Sequence, residues 1–291
     1  MQKKTRNTGI LWLMVIGVIM AVGYYAMIRT RTADAAEKKV PPVTIRGRVT
    51  SMYGPVENAR VRLIGEQNYA LTDRQGRYEL RSAPPAGTRA IVTAGKEGWF
   101  NNGQIANFSG RTRDIYLNPV FLDDRADYRF ISPVTCANCH VKLTRYYDQS
   151  KMAHTTSNPK LLNMYYGTDA FNRPGLGPGY RLDNPDSEGN CTTCHAPSAA
   201  GVIPASQDLT SVLRSPWVEW DGISCDYCHK DRKVIKDKTK PSQTTAVHER
   251  QTPVQGNSIL VFGPYDDVIA PPMAASYNPV FDQGQFCSLC H

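Results

Sequence analysis

The spacing of hydrophobic and polar positions changes along the chain, and each change predicts a different kind of element. Residues Ile10–Ile28 form an uncharged run of 19 residues, long enough at 1.5 Å per residue to span a bilayer. Lys3, Lys4 and Arg6 precede it, and Arg29 and Arg31 follow it. The run predicts a single transmembrane helix with its N-terminus on the cytoplasmic side. Ala33-Asp34-Ala35 offers a small-x-small cleavage site, which leaves a cleaved signal segment open as the alternative. Either reading places the remainder outside the cytoplasm, periplasmic or extracellular when anchored and secreted when cleaved.

From Val43 the period becomes two. Val43–Val49 and Ala59–Ile64 alternate as half-buried strands do. Tyr69–Thr72 and Arg77–Leu80 flank Asp73-Arg74-Gln75-Gly76, which predicts a hairpin turn. Thr88–Thr93 and Arg113–Leu117 complete a set of short strands separated by turn signals, the pattern of a β-sandwich. Beyond residue 133 the periodic stretches are short. Val141–Lys151 and Leu161–Tyr166 predict helices, Asn172–Asn190 a loop rich in Gly, Pro and Asp, and Lys230–Lys240 a solvated segment of alternating charge. So much loop predicts a core built around large apolar cofactors. The expected architecture is therefore multidomain: a transmembrane helix, a β-sandwich, and a mostly α and loop domain. The expected segments are 1–31 (anchor or signal), 32–42 (linker), 43–118 (β-sandwich), 119–133 (connector) and 134–291 (cofactor domain).

Composition changes this picture little. The chain has 291 residues, a formal charge of +8, 22 Gly and 20 Pro. No basic cluster sits beside a nucleic-acid reader motif, so nucleic acid is not an expected partner. Bound anionic cofactors would leave the loaded protein less basic than this sum implies.

All eight cysteines lie in Cys-x-x-Cys-His motifs: Cys136/Cys139/His140, Cys191/Cys194/His195, Cys225/Cys228/His229 and Cys287/Cys290/His291. This is the signature of c-type haem attachment. Three-residue spacing sets both sulfurs on one face of a helical turn, where they can bond the two vinyl groups of a porphyrin, and the adjacent His binds iron. Structural zinc does not require a His after every pair. Disulfides do not require the regular spacing, and a thioredoxin-like pair needs an α/β pattern that is absent. The expected cofactor is haem c, four per chain, with His140, His195, His229 and His291 as proximal ligands.

Distal ligands are the harder assignment. Only His154 and His248 lie outside the motifs. His154, in Ser150-Lys151-Met152-Ala153-His154, is a candidate for a haem other than the one ligated by His140. His248, in a polar loop, has a surface histidine as its alternative, and Met273 has core packing as its alternative. Met ligation would raise a haem's potential relative to two His ligands.

Two family resemblances accompany these patterns. Gly47-Arg48-Val49-Thr50, Gly54-Pro55-Val56 and Thr72-Asp73-Arg74-Gln75-Gly76-Arg77-Tyr78 resemble the carboxypeptidase regulatory-like domain. That resemblance implies a small transthyretin/Ig-like β-sandwich serving as a spacer, stabiliser or adhesive unit. Residues 134–291 resemble the multihaem cytochromes grouped with tetrahaem cytochrome c and hydroxylamine oxidoreductase. The carriers are Cys136–His140 with Ser150–His154, Trp220-Asp221-Gly222-Ile223-Ser224 before Cys225, and Phe262-Gly263-Pro264-Tyr265-Asp266-Asp267 ahead of Cys287–His291. The resemblance implies closely spaced haems that pass electrons between redox partner proteins, with a homo-oligomer or filament open. The rival expectation is an oxidoreductase acting on a small nitrogen or sulfur compound at a five-coordinate haem, with Tyr146, Tyr147 and Lys151 as candidate donors. Because the chain stops at the ligand of its fourth motif, a longer polypeptide is expected.

Overall fold

The computed structural model describes residues 42–83, 90–106, 112–125, 128–168, 171, 173, 175–200, 208–209, 212, 222–236, 244–250, 259–269, 271 and 273–290. Thr44–Ser82 and Arg89–His291 belong to one compact unit; a second, Met1–Val43 with Ala83–Thr88, is almost wholly outside the described residues.

The first half of the compact unit is built of two four-stranded sheets. One contains β1 (Val43–Ser51), β2 (Gly54–Pro55), β5 (Arg77–Ser82) and β8 (Ile115–Tyr116), in the order β2-β1-β5 with β8 parallel to β1. The other is ordered β4-β3-β6-β7, from β3 (Arg60–Leu63), β4 (Ala70–Leu71), β6 (Ala90–Gly95) and β7 (Asn102–Ala106). Alternation decides which face is buried. In β5, Tyr78, Leu80 and Ser82 are buried while Arg77, Glu79 and Arg81 are exposed, as a pleat with one dry face requires. Val49, Val61, Leu63, Val92, Ile115 and Leu117 complete the buried set. Gly47 is required by a close approach: a Cβ there would lie 1.9 Å from the Arg113 carbonyl oxygen, which also accepts the Tyr78 hydroxyl at 2.6 Å.

The turn at Asp73–Gly76 forms, with Gly76 at φ 72°, but it does not close a hairpin. Leu71 leads into the sheet of β3, whereas Arg77 starts a strand in the sheet of β1. The Gly76 carbonyl is taken by the Val49 amide at 2.7 Å, which draws the chain across to the other sheet.

The second half has short helices: α1 (Pro133–Ala137), α2 (Val141–Asp148), α3 (Pro159–Tyr166), α4 (Tyr180–Asp183), α5 (Cys191–His195), α6 (Pro197–Ala200) and α7 (Cys225–Cys228). It also has strands. β9 (Asp231–Lys236) and β10 (Thr244–His248) pair antiparallel, and β11 (Ile259–Gly263) and β12 (Met273–Tyr277) pair parallel.

The expected architecture is corrected on two counts. No helix among the described residues is long and apolar enough to cross a membrane. The longest, α2 and α3, have eight residues each, about 12 Å at 1.5 Å per residue, against about 30 Å of hydrocarbon. This overturns the single-pass membrane helix and the membrane localisation derived from it; the run Ile10–Ile28 that suggested them lies outside the described residues. Second, the region after residue 133 is helix, loop and strand. Lys230–Lys240 is no solvated segment at its start: Lys230 and Asp231 are fully buried and β9 follows. Two of its charges meet specific partners: Lys230 Nζ lies 2.7 Å from Asp226 Oδ1 and Arg232 Nε 2.9 Å from Glu249 Oε1.

The core of this half is divided into small clusters. One holds Val120, Leu260 and Phe262, with Phe100 and Phe281 packed against it. Another holds Leu161, Tyr165 and Leu209, with Cys191 at its margin.

Candidate functional site

The first and third Cys-x-x-Cys-His motifs begin where a turn is started by their neighbours. Ser132 accepts the Val134 amide and Pro133 occupies the first turn of α1, which carries Cys136. Ser224 accepts the Tyr227 amide at the start of α7. An oxygen side chain at the N-cap and Pro at the first helical position are the residues that open a helix. The motif histidine then closes the turn: His140 N–H donates to the Cys136 carbonyl at 2.9 Å and His229 N–H to the Cys225 carbonyl at 3.0 Å. α5 contains the whole of Cys191–His195. Cys287 lies in a 3₁₀ turn, Gly284–Leu289, with Cys290 N–H donating to its carbonyl at 3.4 Å. First Cys and His, four apart, therefore share one face of the turn in the first three motifs.

The first motif runs past the end of its helix. α1 ends at Ala137 with Asn138 as its C-cap, so Cys139 follows the helix rather than belonging to it, its N–H donating to the Cys136 carbonyl at 3.2 Å. Cys139 is exposed, whereas Cys136 is half-buried against the third motif. His140 and the neighbouring Val134, Val141 and Leu143 are exposed as well. Cys287 is likewise exposed, while Cys191, Cys194, Cys225, Cys228 and Cys290 are half-buried.

The motifs meet across the chain. The Cys225 thiol hydrogen-bonds Cys136, which holds Cys136 down at about 7 against the cost of burial and pushes Cys225 well up. The Cys290 thiol does the same for Cys194, held at about 6, while Cys290 is pushed up. Burial pushes Cys228 up to about 12, with Asp231 and Cys287 adding to it. In a haem-bearing chain these sulfurs are thioethers and do not titrate.

The third motif has the most complete surroundings. His229 Nδ1–H donates to the Phe262 carbonyl at 2.5 Å, and Phe262 N–H donates back to the His229 carbonyl at 2.9 Å. A carbonyl only accepts, so Nδ1 carries the hydrogen and Nε2 keeps its lone pair. Burial holds the His229 pKa below its ordinary value, and Lys230 pushes the same way. The ring is therefore neutral, the form that binds a metal. Phe281 stacks on it with centroids 5.5 Å apart and planes at 16°.

Asp226, between the two cysteines of this motif, is a buried node. Its Oδ1 lies 2.7 Å from Lys230 Nζ, with the two side chains 5% and 0% exposed. Its Oδ2 accepts from Tyr128 Oη at 2.9 Å and from the Ile131 amide at 2.8 Å. Lys230 Nζ also donates to the Leu260 carbonyl at 2.6 Å. Burial, then the Asp226 charge, pushes the Tyr128 pKa far up. None of these residues was expected at the site. The signal for the ion pair was local, since Asp226 and Lys230 stand four apart; their burial depends on Tyr128 and Leu260, far away in sequence.

The second motif is tied to the segment that holds His154. The Thr155 and Thr156 hydroxyls both donate to the His195 carbonyl, at 2.7 and 2.8 Å. Ile223 N–H donates to the Met152 carbonyl at 3.0 Å, and Gly222, at φ 71°, leaves no room for a Cβ, which would sit 2.2 Å from that oxygen. Ser150–Thr156 thus bridges the second motif and the approach to the third.

The remaining candidates fall as follows. His154 is exposed, with Nε2 2.8 Å from the Asp148 carbonyl, beside an open cleft of about 200 Å³ that Ser150, Lys151 and Asn158 also line. Met273 is half-buried on β12, opposite Ile259. His248 is no loop residue: it ends β10, its backbone opposite Asp231 at a register shift, because the β-branched Thr244, Thr245 and Val247 favour a strand that pairs with β9. Tyr146 and Lys151 are exposed and Tyr147 half-buried. His291 lies outside the described residues.

Two observations test whether haem fits. His229 offers a neutral ring oriented through Nδ1. Around the first motif, Val134, Val141, Leu143 and Tyr146 are all more than half exposed. With the exposed Cys139 beside them, they form an apolar flank that a porphyrin plane would cover. The residues fit the group.

Comparison with known proteins bears on the same region. Residues 135–230, about a third of the chain, match the family model described as cytochrome c554 and c-prime. This match supports a c-type cytochrome. Haem c is the cofactor it implies, and electron transfer the general function. Cys136–His140, Cys191–His195 and Cys225–His229 lie within the matched residues, and Cys287–His291 lies beyond them. No curated protein matches the chain. Among the solved structures that overlap it are an N-terminal and a C-terminal interface mutant of a type II cohesin–X-dockerin complex from Acetivibrio cellulolyticus. They are 14% and 18% identical, cover 26% and 27% of this chain and 56% and 55% of theirs, and have TM-scores of 0.22 and 0.20. The chain thus spans little over half their length, and at those scores the overlap carries no argument about fold or function.

Proposed function

We propose that this chain is an electron carrier with four haem c groups, one at each Cys-x-x-Cys-His turn, passing electrons between redox partner proteins. The observation that carries it is the third motif, where a helical turn presents two sulfurs and a neutral imidazole whose Nδ1 is committed to the Phe262 carbonyl. The chemistry each bound haem supplies is a one-electron ferric/ferrous couple.

In this reading the eight cysteines hold the porphyrins, Cys139 from its exposed position after α1, and His140, His195, His229 and His291 are the proximal ligands. The Cys136–Cys225 and Cys194–Cys290 contacts support two close pairings, first motif with third and second with fourth. Close spacing is what rapid transfer needs. His154 is proposed as a distal ligand for a haem other than the first, with His248 and Met273 as further candidates. The chain is proposed to join the group of tetrahaem cytochrome c and hydroxylamine oxidoreductase, with residues 43–118 a carboxypeptidase regulatory-like module, 119–133 a connector and 134–291 the haem domain.

A pyridine haemochrome assay on protein matured in a cytochrome-c-competent host tests the count. Four haems per chain are expected, and three in a Cys225→Ala/Cys228→Ala variant; fewer than four in the parent chain overturns the proposal. His154→Ala should turn one haem high-spin, and an unchanged spectrum removes that ligand.

A further inference from the structure

We propose that the β module is a positioning element for the haem of the third motif, acting through the segment Leu260–Asp267. This rests on the haem reading of His229 given above.

The segment is gripped at both ends. At one end it faces the iron ligand. Phe262 exchanges two hydrogen bonds with His229, one to the imidazole Nδ1 and one along the backbone, and Leu260 accepts from the adjacent Lys230. At the other end it faces the β module. Asp266, 2% exposed, is held by Arg62, with Nε 2.7 Å from Oδ1 and Nη2 2.7 Å from Oδ2, and by Arg60 at 3.7 Å. Asp267 accepts the Gly65 amide at 2.8 Å. Asn101 donates to the Tyr265 carbonyl at 3.0 Å and accepts the Tyr277 amide at 3.1 Å, so one side chain joins this segment to β12. Gly95 leaves no gap: a Cβ there would lie 2.5 Å from the Asp266 carbonyl oxygen.

Apolar packing runs the same way. Phe100, from the β module, packs on the cluster of Val120, Leu260 and Phe262, as does Phe281, which stacks on the His229 ring. The carbonyl that orients the imidazole thus lies four residues from a buried ion pair to β3, in which Arg62 Nη2 donates a charge-assisted hydrogen bond to Asp266 Oδ2. The strength of an Nδ1–H···O=C bond tunes the electron donation of the ring to iron. Loosening the joint should weaken that bond, lower the basicity of the ring and favour the ferrous form. Arg62, Asp266 and Asn101 are positioning residues; none touches the ring.

The test is a spectroelectrochemical titration of the haem-loaded full chain, with the wave of the third motif identified by its displacement in His229→Met. Asp266→Asn and Asn101→Ala should each move that wave upward and leave the others in place. A shift of about threefold to tenfold in ferrous preference is expected, tenfold being about 59 mV for one electron. Arg62→Lys should fall between parent and Asp266→Asn. Asp73→Asn, in the β module but outside the joint, should leave every wave in place. If Asp266→Asn does not fold, Asn101→Ala carries the comparison. With four haems present by pyridine haemochrome, joint variants that lose thermal stability yet keep every wave in place overturn this inference and leave the electron-carrier reading standing. A parent chain without haem at His229 overturns that reading instead.

Discussion

Lys230 has no exposed surface, and its ammonium is neutralised by one carboxylate oxygen of Asp226 at 2.7 Å and one carbonyl at 2.6 Å. Removing only the cation would leave the Asp226 charge buried with two neutral donors. Lys230→Met should therefore cost about 3–5 kcal/mol, read as a lower urea midpoint. Lys230→Met with Asp226→Asn should recover part of that loss, because the charge left behind is removed too. If the double variant is no better than the single, the pair is not what stabilises this turn. Gly47 makes a different demand. Its neighbours are a backbone carbonyl at 1.9 Å and the Tyr78 hydroxyl at 2.8 Å from a would-be Cβ, and the carbonyl cannot rotate aside. Gly47→Ala should destabilise by about 1–3 kcal/mol through overpacking, measurable by the same denaturation.

Among the elements, the turn after β4 shows both what local sequence reveals and where it stops. Asp73 accepts the Gln75 and Arg77 amides at 2.9 and 2.8 Å and the Arg77 guanidinium at 2.9 Å. All these partners lie within four residues, so the turn was legible. That the strands on either side enter different sheets was not, because the Val49 amide that captures Gly76 is distant in sequence. The turns that open the first and third Cys-x-x-Cys-His motifs were legible for the same local reason, since their caps stand next to them in sequence. β9 and β10 were not legible, because buried Lys230 and paired Arg232 mimic a solvated charge run. The backbone donors hold the Asp73 carboxyl below its ordinary 3.8, Arg77 first among them. The folded state then binds fewer protons here than the unfolded chain. The stabilisation is complete above the ordinary value and is lost as pH falls through the lower folded one. Melting temperature should drop on acidification below about pH 4 more steeply in the parent than in Asp73→Asn, whose amide keeps the turn bonds without a charge. Equal slopes would show that Asp73 does not contribute.

For the whole molecule, the question is whether β module and haem turns melt separately. The sequence reads as modules joined by an Asp- and Arg-rich connector, yet that connector is itself bonded. Asp124 receives three donors from Arg250, at 2.7 to 2.9 Å, and Arg125 N–H donates to the Arg250 carbonyl. Arg62–Asp266, Phe100 on Phe262 and the bridge Phe100–Ser276 add further ties. Thr44–Ser82 and Arg89–His291 accordingly fall in one compact unit. Neither half can lose its packing without exposing part of the other's, the condition for all-or-none unfolding. In haem-loaded protein, urea curves followed by far-UV circular dichroism, which weights the sheets, and by Soret absorbance, which reports the haem turns, should superimpose. Asp266→Ala, which strips the joint of its shared carboxylate, should separate them, the Soret change coming at lower urea. Two transitions already in the parent would mean that these contacts are too weak to couple the halves.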